Sequence, residues 1–366
     1  MKKLLLVGIG CVPLKYLAQA LQPYGYLPVV LTQRSALPEQ LHHCFDEVQA
    51  HEVDIHSPAA VLDYLRNHRK AFCETVAVTS LFDEQFPLIE TLAAEFGWAS
   101  PGPTLAWLSQ KNTVLSLVPE YSPPSLCFKA GDVQGLDLNP LAAWGQQLII
   151  KPALSSGGRG LGRLVANELL PAQLQRHLTN SGFTDESEWV LQQQVAGRLL
   201  SFEGFVAGGR VRHLGVTSHS RIGDLEVACT YPAEHGLRHA LIERGWDCVE
   251  SLVRRANYQY GYFHCQFIQT ATSVYLVDAN VGRSGAGTAL EVMASAHDLC
   301  PYQLLAHMLL LPLLQANCPL SPCTYARRAT QATLGSGAYS TASIRQLQSL
   351  TWSTVRIGKN IPYAVR

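Results

Sequence analysis

The 366-residue sequence predicts an α/β unit built on a parallel sheet, followed by a longer α+β part made of hairpins and separate helices. Three observations predict this. Short apolar runs alternate with helical repeats over the first hundred residues. The pattern then breaks at "GWASPGPT" (97–104), where Pro101, Gly102 and Pro103 end the periodicity. Beyond the break, strand-like runs arrive in pairs joined by glycine turns.

The elements follow in order. Lys2 to Val7 form an apolar strand, and "GIGCVPLKYLAQALQPYG" turns into a helix whose Leu14, Leu17, Ala18 and Leu21 recur at helical spacing. "LPVVLT" (27–32) is the second strand, and "ETVAVTS" (74–80) is another, leading into the helical "DEQFPLIETLAAEFG" (83–97). Alternating strands and helices predict a parallel sheet. The loop at Gly8 and Gly10 suggests dinucleotide binding, but Pro13 stands where the third glycine is required. The second strand ends in Thr32, Gln33 and Arg34 instead of a ribose-binding acid. A tight strand-to-helix turn is the preferred reading.

Composition narrows the class. Lys and Arg total 28, as do Asp and Glu, so there is no basic excess to hold nucleic acid. The start, "MKKLLLVGIGCVPLKYL", has the lysines and apolar run of a secretion signal. Gly8, Gly10 and Pro13 interrupt that run, and no small-residue cleavage site follows, so a cytoplasmic protein is expected. The apolar stretch 304–316 is too short to span a bilayer and contains Pro312, so no membrane partner is expected. Ten cysteines without a CxxC read as small buried residues or as thiols in a reducing compartment. A disulfide between the nearest pair, Cys318 and Cys323, is not expected.

After the break, "LSQKNTVLSLVPEYSPPSLCF" (108–128) supplies a short helical segment with Lys111, a diproline and a strand. "QQLIIKPALSSGGRGLGRLV" (146–165) places Lys151 at the end of a strand, directly before a glycine loop. A lysine there delivers a point charge to phosphate oxygens while Gly157, Gly158 and Gly160 let backbone N–H groups approach them. The loop is not a Walker loop, because the lysine precedes the glycines. A flexible glycine hairpin with an exposed Arg159 is the plainer reading of the loop taken alone.

Downstream, "EWVLQQQVAGRLLSFEGFVAGGRVRHLGV" (188–216) reads as a strand, a turn at Gly197, and two strands joined at Gly208 and Gly209. "GYFHCQFIQTATSVYLVDANVGRSGAG" (261–287) reads as a hairpin carrying Gln266 on one arm and Asp278 and Asn280 on the other. Strand alternation puts Asp278 and Asn280 on one face. If Gln266 pairs opposite them, three oxygen ligands suit a hard cation such as Mg²⁺.

In this order the segments resemble the ATP-grasp superfamily of carboxylate–amine and carboxylate–thiol ligases. The likeness covers roughly residues 1 to 300 and is carried by Lys111 in "QKNTV", Lys151 in "IIKPA", "SSGGRGLG", "VLQQQVAG" and "HCQF…VDAN". It implies a Rossmann-like unit over 1–103 and a two-part ATP-grasp domain over 104–316, with subdomains near 112–194 and 195–316. A segment over 317–366 would complete the core or cover the pocket.

The resemblance implies ATP and Mg²⁺ (or Mn²⁺) as cofactors, with Lys111 and Lys151 on the nucleotide phosphates. Ser155, Ser156, Gly157, Gly158 and Gly160 would form a lid over the β- and γ-phosphates, and Gln192, Gln193 and Val195 would lie along the adenine. Where the superfamily usually has Glu at the start of that strand, this chain has Gln192. Gln266, Asp278 and Asn280 take the metal positions, with one carboxylate in place of the usual two. Arg283 takes the place of the arginine that stabilises charge on the acyl phosphate. His264, two residues before Gln266, is either a base for the incoming amine or a structural hydrogen-bonder.

Arg221 in "TSHSR" (217–221) either touches the acid substrate or sits on a solvated turn, and Arg254 and Arg255 are expected on a solvated last helical turn. The partners implied are a small carboxylate, in particular an amino acid, and an amine. The amino-acid ligases of peptide-like natural product pathways are the nearest branch. The resemblance leaves the oligomeric state open and allows a homodimer, since members are commonly dimers. The alternative is a nucleotide-binding protein without turnover, supported by Gln266, Asp278, and Leu199 in a place many relatives give to an acid.

Overall fold

A computed structural model describes residues 1–9, 11–33, 39–222, 225–285 and 289–319, with short strands at 332–335, 356–357 and 361–362. The first unit is a four-stranded parallel sheet of order β3-β2-β1-β4: β1 (Lys2–Val7), β2 (Tyr26–Thr32), β3 (Gln49–Glu52) and β4 (Thr75–Thr79). The strands at 2–7, 27–32 and 74–80 thus form as expected. The polar edge strand "QAHE" carries no apolar signal and was not foreseen. Helices α1 (Cys11–Leu21), α2 (Pro58–Asn67) and α3 (Phe86–Phe96) flank this sheet, each burying an apolar face. Two short helices, α4 (Pro103–Leu108) and α5 (Lys111–Leu117), lead out of the unit.

A four-stranded antiparallel sheet follows, of order β5-β8-β6-β7: β5 (Ser125–Lys129), β6 (Gln147–Pro152), β7 (Gly162–Val165) and β8 (Glu188–Gln193). Helix α6 (Leu170–Asn180) closes one face with Leu170, Leu174 and Leu178, packed with Leu148, Ile150, Trp189 and Leu191. This small core is separate from the rest.

The largest sheet has six strands in the order β13-β12-β9-β10-β11-β14: β9 (Arg198–Ala207), β10 (Arg210–Ile222), β11 (Leu225–Tyr231), β12 (Tyr260–Gln269), β13 (Val274–Val281) and β14 (Ala332–Gly335). The hairpins expected at Gly208–Gly209 and at 261–281 both form. Strand β14 adds to the edge of this sheet beyond β11. Helix α7 (His239–Arg255) covers one face, burying Trp246, Val249 and Leu252 against Phe202, Phe263 and Phe267. On the opposite face, α9 (Pro301–Leu314), preceded by α8 (Ala289–Ala296), covers Phe205 and Tyr262 at one end. Because side chains alternate along a strand, the other end of that face carries Ser201 and Glu203, His264 and Gln266, and Asp278 and Asn280.

Two expectations are corrected here. "TSHSR" is the interior of β10, not a turn: Thr217 and Ser218 are buried because the ladder to β9 and β11 continues through them. Arg255 is not merely solvated, since its guanidinium forks onto Glu120 at 2.6 and 3.1 Å. Cys318 is half-buried, and Cys323 lies outside the described residues. Among the described residues no single helix is long and apolar enough to cross a membrane.

Candidate active site

The small and the six-stranded sheets face each other across a cleft of about 240 Å³. Its lining includes Lys111, Lys151, the loop from Ser155 to Arg159, Gln192 to Val195, Gln266, Asp278 and Asn280. Residues separated by more than 160 positions in sequence therefore meet in one place. Arg221 also lines the cleft, from the end of β10.

Lys111 stands in the first turn of α5 and is buried at 7 % exposure. Its Nζ donates to the Ser155 carbonyl at 2.7 Å and lies 3.7 Å from Asp278 Oδ1. Lys151, on β6, donates to Gln192 Oε1 at 3.2 Å and to the Val277 carbonyl. Burial lowers its pKa to about 8; Asp278 opposes the fall and Lys111 adds to it. Gln192 is buried and donates from Nε2 to Ser125 Oγ at 2.9 Å, so the neutral amide bridges β5 to the lysine where a carboxylate was the expected type.

The loop between β6 and β7 needs its glycines. Gly157 and Gly158 have φ of +62° and +73°, and a Cβ on Gly160 would lie 2.6 Å from Pro152 and 2.9 Å from the Phe183 ring. Two contacts tie the loop to the first unit: the Ser156 N–H and Arg159 Nη2 donate to Glu84 Oε2 at 3.2 and 3.1 Å. The other oxygen of Glu84 lies 3.4 Å from His56 Nδ1.

Across the cleft, Gln266 pairs directly with Asp278, and His264 with Asn280. Asn280 Oδ1 accepts from Arg283 Nη2 at 2.7 Å, and the same nitrogen lies 3.4 Å from Asp83 Oδ1. Asp83 is 1 % exposed; burial raises its pKa, while Arg283 and Lys111 oppose the rise. His264 is 3 % exposed and both its ring nitrogens face partners within the sheet, Glu203 on one side and Gln266 on the other.

The donor set at Gln266, Asp278 and Asn280 fits a hard cation. Among the described residues Asp278 Oδ1 is buried without a hydrogen-bond partner, Lys111 Nζ being 3.7 Å away, and two amide side chains flank it. Among the described residues no three His, Cys, Asp or Glu side chains cluster as ligands, so phosphate and water oxygens would complete the shell.

Sequence reasoning missed Asp83, Glu84 and Glu203. The first two read as an acidic helix start. Glu203 did carry a signal, a lone acid inside the apolar run "LLSFEGFV".

Two sheets facing each other across a cleft with buried lysines, one of them carrying a glycine loop, are consistent with the two-part arrangement that the resemblance to ATP-grasp ligases implied. No family model matches the chain, and no curated protein matches it. Among solved structures, an L-amino acid ligase from Bacillus licheniformis is similar over 100 % of this chain and 91 % of that chain, with 16 % identity and a TM-score of 0.67. A biotin carboxylase from Campylobacter jejuni is similar over 91 % of this chain and 74 % of its own, at 13 % identity and a TM-score of 0.65. The N5-carboxyaminoimidazole synthetase of Staphylococcus aureus, complexed with ADP, is similar over 86 % and 77 %, at 15 % identity and a TM-score of 0.62.

Proposed function

We propose that this protein is an ATP- and Mg²⁺-dependent ligase that activates a small carboxylate, an amino acid in our reading, and couples it to an amine. One observation carries the proposal: Lys111 and Lys151, from a helix and a strand 40 positions apart, converge beside Asp278 beneath a glycine loop. Adenine alone would not require two buried cations there. The similar solved structures include an L-amino acid ligase, a synthetase bound to ADP, and a carboxylase domain bound to MgADP and bicarbonate.

In this reading Lys111, Lys151 and the loop from Ser155 to Gly160 hold the phosphates, and Gln192, Gln193 and Val195 lie along the base. Gln266, Asp278 and Asn280 would hold Mg²⁺, which when bound neutralises phosphate charge. The substrate carboxylate oxygen attacks the γ-phosphorus, the bond to the β-γ bridging oxygen breaks, and ADP leaves. The amine nitrogen then attacks the acyl carbon, phosphate departs, and the nitrogen gives up a proton. Arg283, held by Asn280 and Asp83, faces the charge that develops in both steps. Positioning and electrostatics suffice, so no protein nucleophile is needed.

The test is ADP release from Mg²⁺-ATP with pooled amino acids and small carboxylates, with Lys151→Ala alongside. ADP formed only with a particular acid and amine, and lost in the variant, is the expected result. Nucleotide binding with every pool silent and no metal dependence favours the second reading, binding without turnover. The single carboxylate among the three cation ligands is what supports that reading.

A further inference from the structure

The cleft face of the six-stranded sheet holds a carboxylate that the reaction above does not use. Glu203 is fully buried in the middle of β9. Its Oε1 accepts from His264 Nδ1 at 2.7 Å and from Thr217 Oγ1 at 3.2 Å, while Oε2 has no partner among the described residues. A carboxylate can only accept, so this contact places a ring proton of His264 on Nδ1, and in the neutral ring Nε2 is then an acceptor. Gln266 Nε2 lies 3.2 Å from that Nε2, and Ser201 Oγ lies 3.4 Å from it. An amide N–H is the half of the glutamine head group that can donate there, so the carbonyl oxygen is turned away from the ring.

The consequence is specific to glutamine. A carboxylate at position 266 would present oxygen to a cation in either orientation. A glutamine presents oxygen in one orientation and a positively polarised NH₂ in the other. Gln266 faces Asp278 across the β12–β13 pair, so a device that sets its orientation decides whether β12 offers the cation position an oxygen.

We propose, resting on the reading of the cleft as a nucleotide–metal site, that Glu203 and His264 form a relay that locks the Gln266 amide with its oxygen toward the cation beside Asp278. His264 is then a positioning residue and not the base for the amine. The relay runs from β9 to β12 across alternate register pairs on one face, His264 with Glu203 and Gln266 with Ser201, so the sheet itself holds its parts in place.

Binding of Mn²⁺ to the protein–ADP complex, measured by electron paramagnetic resonance, tests the relay, with metal-free ADP binding as the measure that each variant is folded. Glu203→Leu and His264→Phe are expected to weaken Mn²⁺ roughly tenfold or more while leaving metal-free ADP binding unchanged. Glu203→Gln keeps an acceptor for the Nδ1 proton and is expected to stay within about threefold of the parent. In a Gln266→Glu background the same two disruptions should cost less than about threefold, because the carboxylate needs no orienting. Equal losses in both backgrounds would show a merely structural role and overturn the relay. Should the parent bind ADP but no Mn²⁺, the metal reading of the site falls and the relay with it; no binding of ADP at all would overturn the nucleotide reading itself.

Discussion

Raising the pH from 7 to 9 is expected to weaken nucleotide binding about tenfold through one side chain, Lys151. The lysine is buried at 6 % exposure and its pKa is lowered to about 8, chiefly by burial. At that value roughly nine-tenths of the free protein carries the charge at pH 7, and roughly one-tenth at pH 9. If phosphate binds only to the charged form, the apparent Kd rises in inverse proportion to that fraction. Near pH 8, binding should also draw in about half a proton, because a bound phosphate completes the protonation of a half-charged lysine. Calorimetry with ADP at constant ionic strength, in buffers of different ionisation enthalpy, measures both quantities. Lys151→Arg does not titrate in this range, so any binding it retains should be flat with pH. Parallel pH profiles for the parent and the arginine variant, with no proton uptake, would refute the reasoning.

Three further outcomes follow from the same contacts. The folded state binds the Lys151 proton less tightly than the unfolded chain does. The resulting penalty is full below pH 8 and is relieved as pH rises toward the ordinary lysine value, on the order of 3 kcal/mol in all. Denaturant melts should show that rise, and Lys151→Met should remove it. Glu84→Gln weakens the carboxylate contacts to the Ser156 N–H and Arg159, and amide exchange in the 155–160 loop should quicken by roughly tenfold with the global melt unchanged. Trp189→Ala empties the centre of the small sheet's core, where the indole is fully buried against His177 and Phe183, and should cost about 3–5 kcal/mol in chemical denaturation.

Much of the architecture was legible because it is written locally. The apolar runs at 2–7, 27–32 and 74–80 alternate with helical repeats, and that alternation alone selects a parallel sheet. The hairpin carrying Gln266, Asp278 and Asn280 was legible too, because a period of two fixes which side chains share a face. What the local pattern left open was partnership. "QAHE" became a strand only because β2 offered it an edge. Thr217 lies opposite Ser201 inside β10, and its polar side chain reads the same in a strand facing the cleft as it would in a turn. Glu84, Asp83 and Glu203 found their roles with Arg159, Arg283 and His264, up to 200 positions away in the chain.

The sequence by itself determined most of the strands and helices and the residue types that could hold phosphate and metal. Only the tertiary structure decided that Lys111 would meet Ser155 and Asp278, that Lys151 would lie buried against Val277, and that His264 would be held by Glu203. The reason is physical: periodicity and turn chemistry act over a few residues. Burial and hydrogen-bond partners are settled by packing, which brings together chain segments that no local pattern connects.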